Sequence, residues 1–302
     1  MEPVHRSRPV LVGVDGSGAS LAAVDWAAAE AASRRTSLRV IHAFNWPRYS
    51  YGPAGPSAYG PPDADVRAAA GRILDEAVRR AALGSPGLSV DGTVRIGRPS
   101  PVMLDEARTA ELVVVGSRGL GGFTGLLVGS VSSRLAAHAP CPVVVMRPAH
   151  ALRGAGVGPP AGCVVGVDDP STAEDIVGFA FAEASRLHVG LTAVHCVEQL
   201  PARYGVPPDD GDEAVALRHQ LSDTVNAWQG KYPEVAAETV LVSGSPGRVL
   251  TELSRKALLV VVGSRERGGF RELLLGSVSQ QVLHHAHAPV AIVHQATLER
   301  TR

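Results

Sequence analysis

The chain is 302 residues long, which suits about two domains. Hydrophobic residues make up 45% and charged residues 19%, a balance that supports packed cores and excludes a disordered chain. The formal net charge is zero and the pI is near 7.2, so nothing attracts nucleic acid or anionic membrane in general; any phosphate binding has to be local.

The first residues, Met1–Pro9, are short and polar and lead straight into an apolar strand. They carry no signal-peptide core, and no apolar run reaches about 18 residues, so a soluble, cytoplasmic protein is expected. Val10–Val14 reads as a buried strand, followed by a helix from about Ser20 to Arg34 and a second strand at Leu38–Phe44. Asn45–Pro62 is a long Pro/Gly/Tyr loop holding Trp46, Tyr49, Tyr51 and Tyr59. It suits either a cover over a ligand or partner, or a plain excursion. Val66, Ala70, Ile73 and Ala77 then line one face of a helix. A strand at Val90–Ile96, a helix at Ser100–Thr109, a strand at Leu112–Val115, a helix at Ser130–Ala139 and a strand at Val143–Met146 complete the series.

The order then repeats. Val113–Ser132 and Val260–Ser279 are identical at fifteen of twenty positions without a gap. Val12-Gly13-Val14-Asp15 is matched by Val165-Gly166-Val167-Asp168, and a histidine follows each aspartate by 27 residues, at His42 and His195. Ala214, Leu217, Leu221, Val225 and Trp228 form the second copy's equivalent apolar stripe. Arg153–Gly162, rich in Gly and Pro, reads as the linker, giving domains at 1–149 and 158–302. Short apolar strands alternating with helices predict an α/β fold, a parallel sheet covered on both faces, with ligands at the carboxyl ends of the strands.

The chemistry concentrates at one such end. Gly116-Ser117-Arg118-Gly119 follows the fourth strand, and the glycines let backbone approach a ligand closely. Gly129-Ser130-Val131-Ser132 opens a helix, whose unpaired N–H groups and dipole form an anion site. Ser130 and Ser132 add hydroxyls and Arg118 a charge, which suits a di- or triphosphate; Ser130 equally suits a plain N-cap. A P-loop is excluded, because the only lysines, Lys231 and Lys256, follow no glycine-rich loop. Asp15 reads as an acceptor for ribose or adenine donors, or as a turn residue before Ser17. Cys141, Cys163 and Cys196 lack metal-ligand spacing and read as reduced thiols. His284, His285 and His287 lie at a helix end, where compensation of the dipole explains them.

The pattern G-x-x-G-x9-G-S at Gly116, Gly119, Gly129 and Ser130 resembles the ATP-binding signature of the universal stress protein family. The opening Val12–Ser17 and the endings His138–Val145 and His287–Val293 resemble it too. The resemblance spans nearly the whole chain, as a tandem member of the type frequent in actinobacteria. It implies two Rossmann-like domains of the adenine nucleotide alpha hydrolase-like kind, each with a five-stranded parallel sheet, and ATP across the strand ends, with Mg²⁺ as its companion. The implied contacts are Gly13, Val14 and Asp15 at the nucleoside, Ala43 and Val115 around adenine, and Gly116, Ser117, Arg118, Gly119, Gly129, Ser130, Val131 and Ser132 at the phosphates. Their second-copy counterparts are Gly166, Asp168, Cys196, Val262, Gly263, Ser264, Arg265, Gly276, Ser277, Val278 and Ser279. It also implies that the last strands, Val143–Met146 and Val290–Val293, meet in an intramolecular pseudo-dimer, with a homodimer as a further step.

Two departures bear on function. Glu266 stands where the first copy has Gly119, which sets a carboxylate near any phosphate, with Arg265, Arg267 and Arg271 available to offset it. The second site is therefore expected to be weakened or altered. No acidic residue lies between Gly116 and Arg134, whereas phosphoryl transfer ordinarily uses a metal carboxylate and a base. Three readings follow: an ATP-binding regulator of a stress response, a slow ATPase or nucleotidyl-transfer enzyme on the same fold, and an interaction scaffold with a vestigial second site.

Overall fold

The computed structural model describes residues 8–44, 63–119, 128–147, 162–197, 212–264 and 275–294. The aromatic loop expected at 45–62, the linker up to residue 161, and Arg265, Glu266, Arg267 and Arg271 lie outside the described residues. The chain forms two compact units, Met1–Leu135 and Ala136–Arg302.

In the first unit, β1 (Val10–Val14), β2 (Leu38–Phe44), β3 (Val90–Ile96) and β4 (Leu112–Gly116) pair in parallel in the order β3-β2-β1-β4. Strands β1 and β4 are unbroken apolar runs with almost no exposed side chain, as strands covered on both faces must be. Helix α1 (Gly18–Ser33) is alanine-rich, and Ala23, Ala27 and Ala31 are fully buried, so its backbone can lie close to the sheet. Glu30, buried on α1, pairs with Arg34, which also holds Glu111 just before β4. Helix α2 (Asp63–Gly84) buries Ala70 and Ala77 of the expected stripe together with Leu74 and Ala81, while Val66 and Ile73 are half-buried. Helix α3 (Pro99–Ala107) begins on proline, and helix α4 (Ser130–His138) follows Gly129.

The second unit opens with the last strand of the first repeat, β5 (Val143–Met146). Its order is β5-β10-β9-β6-β7-β8, built from β6 (Cys163–Val167), β7 (Leu191–Val197), β8 (Ala237–Ser243), β9 (Leu259–Gly263) and β10 (Val290–Val293). The pairs are parallel except β5 with β10, which run antiparallel with Val144 opposite Ala291. The two last strands thus meet as expected. Helices α5 (Glu174–Leu187), α6 (Asp212–Gln229), α7 (Pro246–Leu253) and α8 (Ser277–His285) repeat the first four. Gly178 on α5 makes room for the Trp228 ring of α6; a Cβ there would overlap the indole. No helix among the described residues is long and apolar enough to cross a membrane.

The residues that follow the two last strands behave alike. Arg147, after β5, donates from Nη2 to the carbonyl of Leu283 near the end of α8. His294, after β10, meets the carbonyl of Ala136 near the end of α4 through Nε2, 3.1 Å away. Each supplies a donor where helical carbonyls lack partners. His284 and His285 stand in the last turn of α8, and Arg147 joins them there; His284 is held below the ordinary histidine pKa by burial, by His285 and by Arg147.

Candidate functional site

The first cavity, about 530 Å³, lies at the carboxyl ends of β1, β2 and β4. Its apolar end is formed by Ile41, Ala43, Pro99, Met103 and Val115, with the Met103 Cε methyl 3.0 Å from where a Cβ on Gly13 would stand. Its polar end is formed by Gly116, Arg118, Gly119, Gly129, Ser130, Val131 and Ser132. Gly13, Val14, Asp15 and Ser20 complete the lining.

The strand end at Asp15 is held by a local network. The Ser17 N–H donates to Asp15 Oδ1 at 3.0 Å, a turn closed through Gly16, whose φ of +84° suits glycine. Ser17 Oγ then accepts from Ser20 N at 3.2 Å as the N-cap of α1, and donates to the Arg118 carbonyl at 3.3 Å. Ser20 Oγ donates to the Ser17 carbonyl at 2.9 Å. His42 Nδ1 lies 2.8 Å from the Val14 carbonyl; since a carbonyl only accepts, that nitrogen carries the proton. His195 repeats the bond to Val167 at 2.9 Å, so the paired histidines are braces for the strand end before each aspartate. The turn role of Asp15 is therefore real, and its carboxylate also lines the cavity.

Glycine fixes the polar end by contact. Any Cβ on Gly116 would stand 2.7 Å from the Ala19 carbonyl carbon, so the first turn of α1 rests on the end of β4. A Cβ on Gly119 would overlap Asp15 Oδ2. Gly129 donates to the Ser117 carbonyl at 2.7 Å and accepts from Ser133 N at 3.0 Å, so glycine, not Ser130, holds the cap position of α4. With no side chain on the cap, Ser130 and Val131 face the cavity at the open first turn, an electropositive place for an anion.

Two serines depart from the expected donor role. Ser132 is buried and its hydroxyl donates to the Gly116 carbonyl at 2.6 Å; with that single proton spent, it ties α4 to β4. Ser117 is fully buried and does not line the cavity, and its hydroxyl has no hydrogen-bond partner among the described residues. Sequence reading missed Ser20, Ile41, Pro99, Met103 and Val128. Met103 carried a usable signal, since Leu250 stands at the same place in the repeat.

The second cavity, about 580 Å³, keeps Gly166, Asp168, Cys196, Val262, Gly263, Ser277, Val278 and Ser279 of the expected set. Ser264 and Gly276 do not line it: Gly276 donates to the Ser264 carbonyl at 3.0 Å and caps α8, while Ser279 donates to the Gly263 carbonyl. The lining adds Asp169, Thr172, Ala173, Ile176, Val194, Ser245, Pro246, Gly247, Leu250 and Gln281, which were not foreseen. Burial pushes the Cys196 thiol up to about 11, so it faces this cavity as a thiol. No cluster of three metal-ligating side chains occurs among the described residues.

A sequence model described as the universal stress protein family matches residues 6–147 and 163–294. Universal stress protein Rv2005c of Mycobacterium tuberculosis is 38% identical over 312 residues, covering 98% of this chain and 100% of that one. Universal stress protein Rv2623 of the same organism is 33% identical over 305 residues, covering 98% and 99%. Among solved structures, a universal stress protein from Archaeoglobus fulgidus aligns with a TM-score of 0.68 over 96% of this chain and 99% of its own; at 18% identity the likeness is one of fold.

Proposed function

The chain belongs to the universal stress protein family, and from that premise we propose that it binds ATP in the first cavity and acts as a nucleotide-dependent regulator. The observation that carries the reading is the two-ended first cavity. A cavity of about 530 Å³ is within the range that holds a small organic ligand. Ile41, Ala43, Met103 and Val115 offer apolar faces for a purine, and the glycine backbone with the open start of α4 offers N–H groups to phosphates. Arg118, exposed on the same lining, adds a charge-assisted donor.

The reading extends to retention of ATP in place of turnover. Among the described residues Asp15 is the only carboxylate that lines the cavity, and its Oδ1 already accepts from Ser17. Mg²⁺ accompanying the nucleotide would be held chiefly by the phosphates, with Asp15 the one protein carboxylate at hand. Occupancy would then draw on α1, β4 and α4 together, since Ser17–Arg118 and Ser132–Gly116 bonds join them.

The test is to purify the full chain without added nucleotide, denature it and identify what is released by mass spectrometry, followed by calorimetric titration with ATP. ATP released intact, and saturable ATP binding that an Ala43→Trp variant abolishes, are the expected results. Absence of both release and heat of binding would overturn the proposal; ADP release with steady turnover would move it to the enzyme reading.

A further inference from the structure

Strand β3 ends the strand order of the first unit: one edge meets β2, and the other has no strand beside it among the described residues. Asp91, Gly92, Arg95 and Ile96 of this strand are exposed, Ile96 by 56%. The ladder to β2 shows which backbone groups the outer edge presents. Leu38 N–H donates to the Ser89 carbonyl at 2.9 Å, and Gly97 N–H donates to the Phe44 carbonyl at 2.9 Å. The odd-numbered residues of β3 therefore turn their backbone groups towards β2, and Val90, Gly92, Val94 and Ile96 turn theirs outward. Such a row is a template for a further strand.

The side chains alternate between the two faces of the sheet. A Cβ on Gly92 would overlap Val78 Cγ2, so the even-numbered residues face α2. Asp91, Thr93 and Arg95 face the side of α3, where Arg95 Nε donates to Glu106 Oε1 at 2.8 Å. Arg39 Nη1 donates to Glu106 Oε2 at 3.2 Å, so two guanidiniums share one carboxylate. Asp91 stands in register with Arg39 on the same face.

Two copies of β3 can pair antiparallel about a twofold axis in several registers, and only one of them sets opposite charges together. Centred on Thr93, the pairing places Asp91 of each copy opposite Arg95 of the other. Centred on Asp91 or Arg95, it sets like charges together; centred on Gly92 or Val94, it leaves Asp91 opposite Thr93 or Gly97. In the Thr93 register Gly92 exchanges backbone hydrogen bonds with Val94, and Val90 with Ile96, through their outward groups. Asp91 and Arg95 then form a non-hydrogen-bonded pair, the kind that brings side chains closest. Exposed ion pairs add little affinity, so the ladder supplies the attraction and the charges select the register. Strand β8, which ends the order of the second unit, carries Glu238 as its one charged residue, so none of its registers sets opposite charges together.

We infer that the outer edge of β3 docks a second copy of this chain, as an antiparallel strand pair centred on Thr93.

Sedimentation velocity of the full chain, from low to high micromolar concentration, should show a monomer passing to a dimer. Asp91→Arg opposes cations at both charge sites and Arg95→Asp opposes carboxylates; each should weaken dimerisation at least about tenfold. An equimolar mixture of these two variants restores opposite charges at both sites and should dimerise with about the parental affinity. Val94→Pro removes an outward N–H and spares the ladder to β2; it should abolish the dimer with the thermal midpoint little changed. In the parent, amide exchange read by NMR should slow with concentration at Gly92 and Val94, while Thr93, bonded towards β2, keeps one rate. A chain that stays monomeric throughout would overturn the inference. A dimer that Asp91→Arg and Val94→Pro leave intact, a mixture that stays monomeric, or exchange at Gly92 and Val94 indifferent to concentration would do the same. No arm uses nucleotide, so the outcome stands apart from the ATP reading.

Discussion

The carboxylate of Asp15 lies directly against Gly119: a Cβ on that glycine would overlap Oδ2, while Oδ1 accepts the Ser17 N–H at 3.0 Å. One side chain therefore closes the turn before α1 and packs on the loop after β4. This gives the glycine of the G-x-x-G pattern a reason beyond backbone freedom.

Gly119→Ala should push the Asp15 carboxylate aside without touching the core, because the atom it meets is the end of a flexible side chain. ATP affinity is expected to fall about tenfold, roughly 1.4 kcal/mol, with thermal stability nearly unchanged. Calorimetry beside a thermal melt reads both, and wild-type affinity in the variant would remove Asp15 from the binding reading.

Gly116 and Gly263 occupy the same place in the two repeats yet should respond oppositely to alanine. At Gly116 the new Cβ meets the carbonyl carbon of Ala19 at 2.7 Å, backbone against backbone, so the helix must move; a loss of about 1–3 kcal/mol is expected. At Gly263 the nearest atom is 3.8 Å away, and the change should stay within about 0.5 kcal/mol. Hydrogen exchange resolved by peptide assigns each loss to its unit; equal costs would contradict the differing helix starts.

Ser132 and Ser117 make a second contrasting pair. Ser132→Ala removes the 2.6 Å bond to the Gly116 carbonyl and leaves a buried acceptor, at an expected cost of about 1–2 kcal/mol. Ser117→Ala deletes a buried hydroxyl that has no partner among the described residues, and should be neutral or slightly stabilising. Urea denaturation of the two variants distinguishes them. A large loss in Ser117→Ala would mean that its hydroxyl serves a role absent from this network.

The repeat, the strands and the strand-end glycines were legible because each is written in local order: apolar runs, fixed spacing and duplicated text. The cavity floor followed from the same order, since carboxyl ends of parallel strands collect ligand groups. What was illegible depends on distant partners. The Arg147 contact joins residues 136 apart and the His294 contact joins residues 158 apart, and no periodicity announces either. The direction of a hydroxyl is similarly silent, so Ser132 read as a donor to ligand when its proton goes to Gly116. The substitution of Gly16 by Asp169 was visible, but its effect, a helix that starts three residues late by the repeat's alignment, needed the backbone.

The end of α8 should make stability sensitive to acid. His284 is held below its ordinary pKa of 6.5 in the folded chain by burial first, then by His285 and Arg147. A base whose folded pKa is depressed favours the neutral folded form. Its stabilising effect is therefore present above 6.5, the unfolded value, and is lost as pH falls through that value towards the lower folded one. His284→Gln keeps a polar side chain of similar size and removes the titration, while Arg147 still donates to the Leu283 carbonyl. The midpoint of thermal unfolding for the second unit should thus drop less between pH 7 and about pH 5 in the variant than in the parent, with the two alike near pH 8. Parallel pH profiles would place the acid sensitivity elsewhere. Arg147→Gln supplies the complementary arm: it removes a positive neighbour, so His284 should titrate closer to 6.5, at the cost of the donor that serves the end of α8.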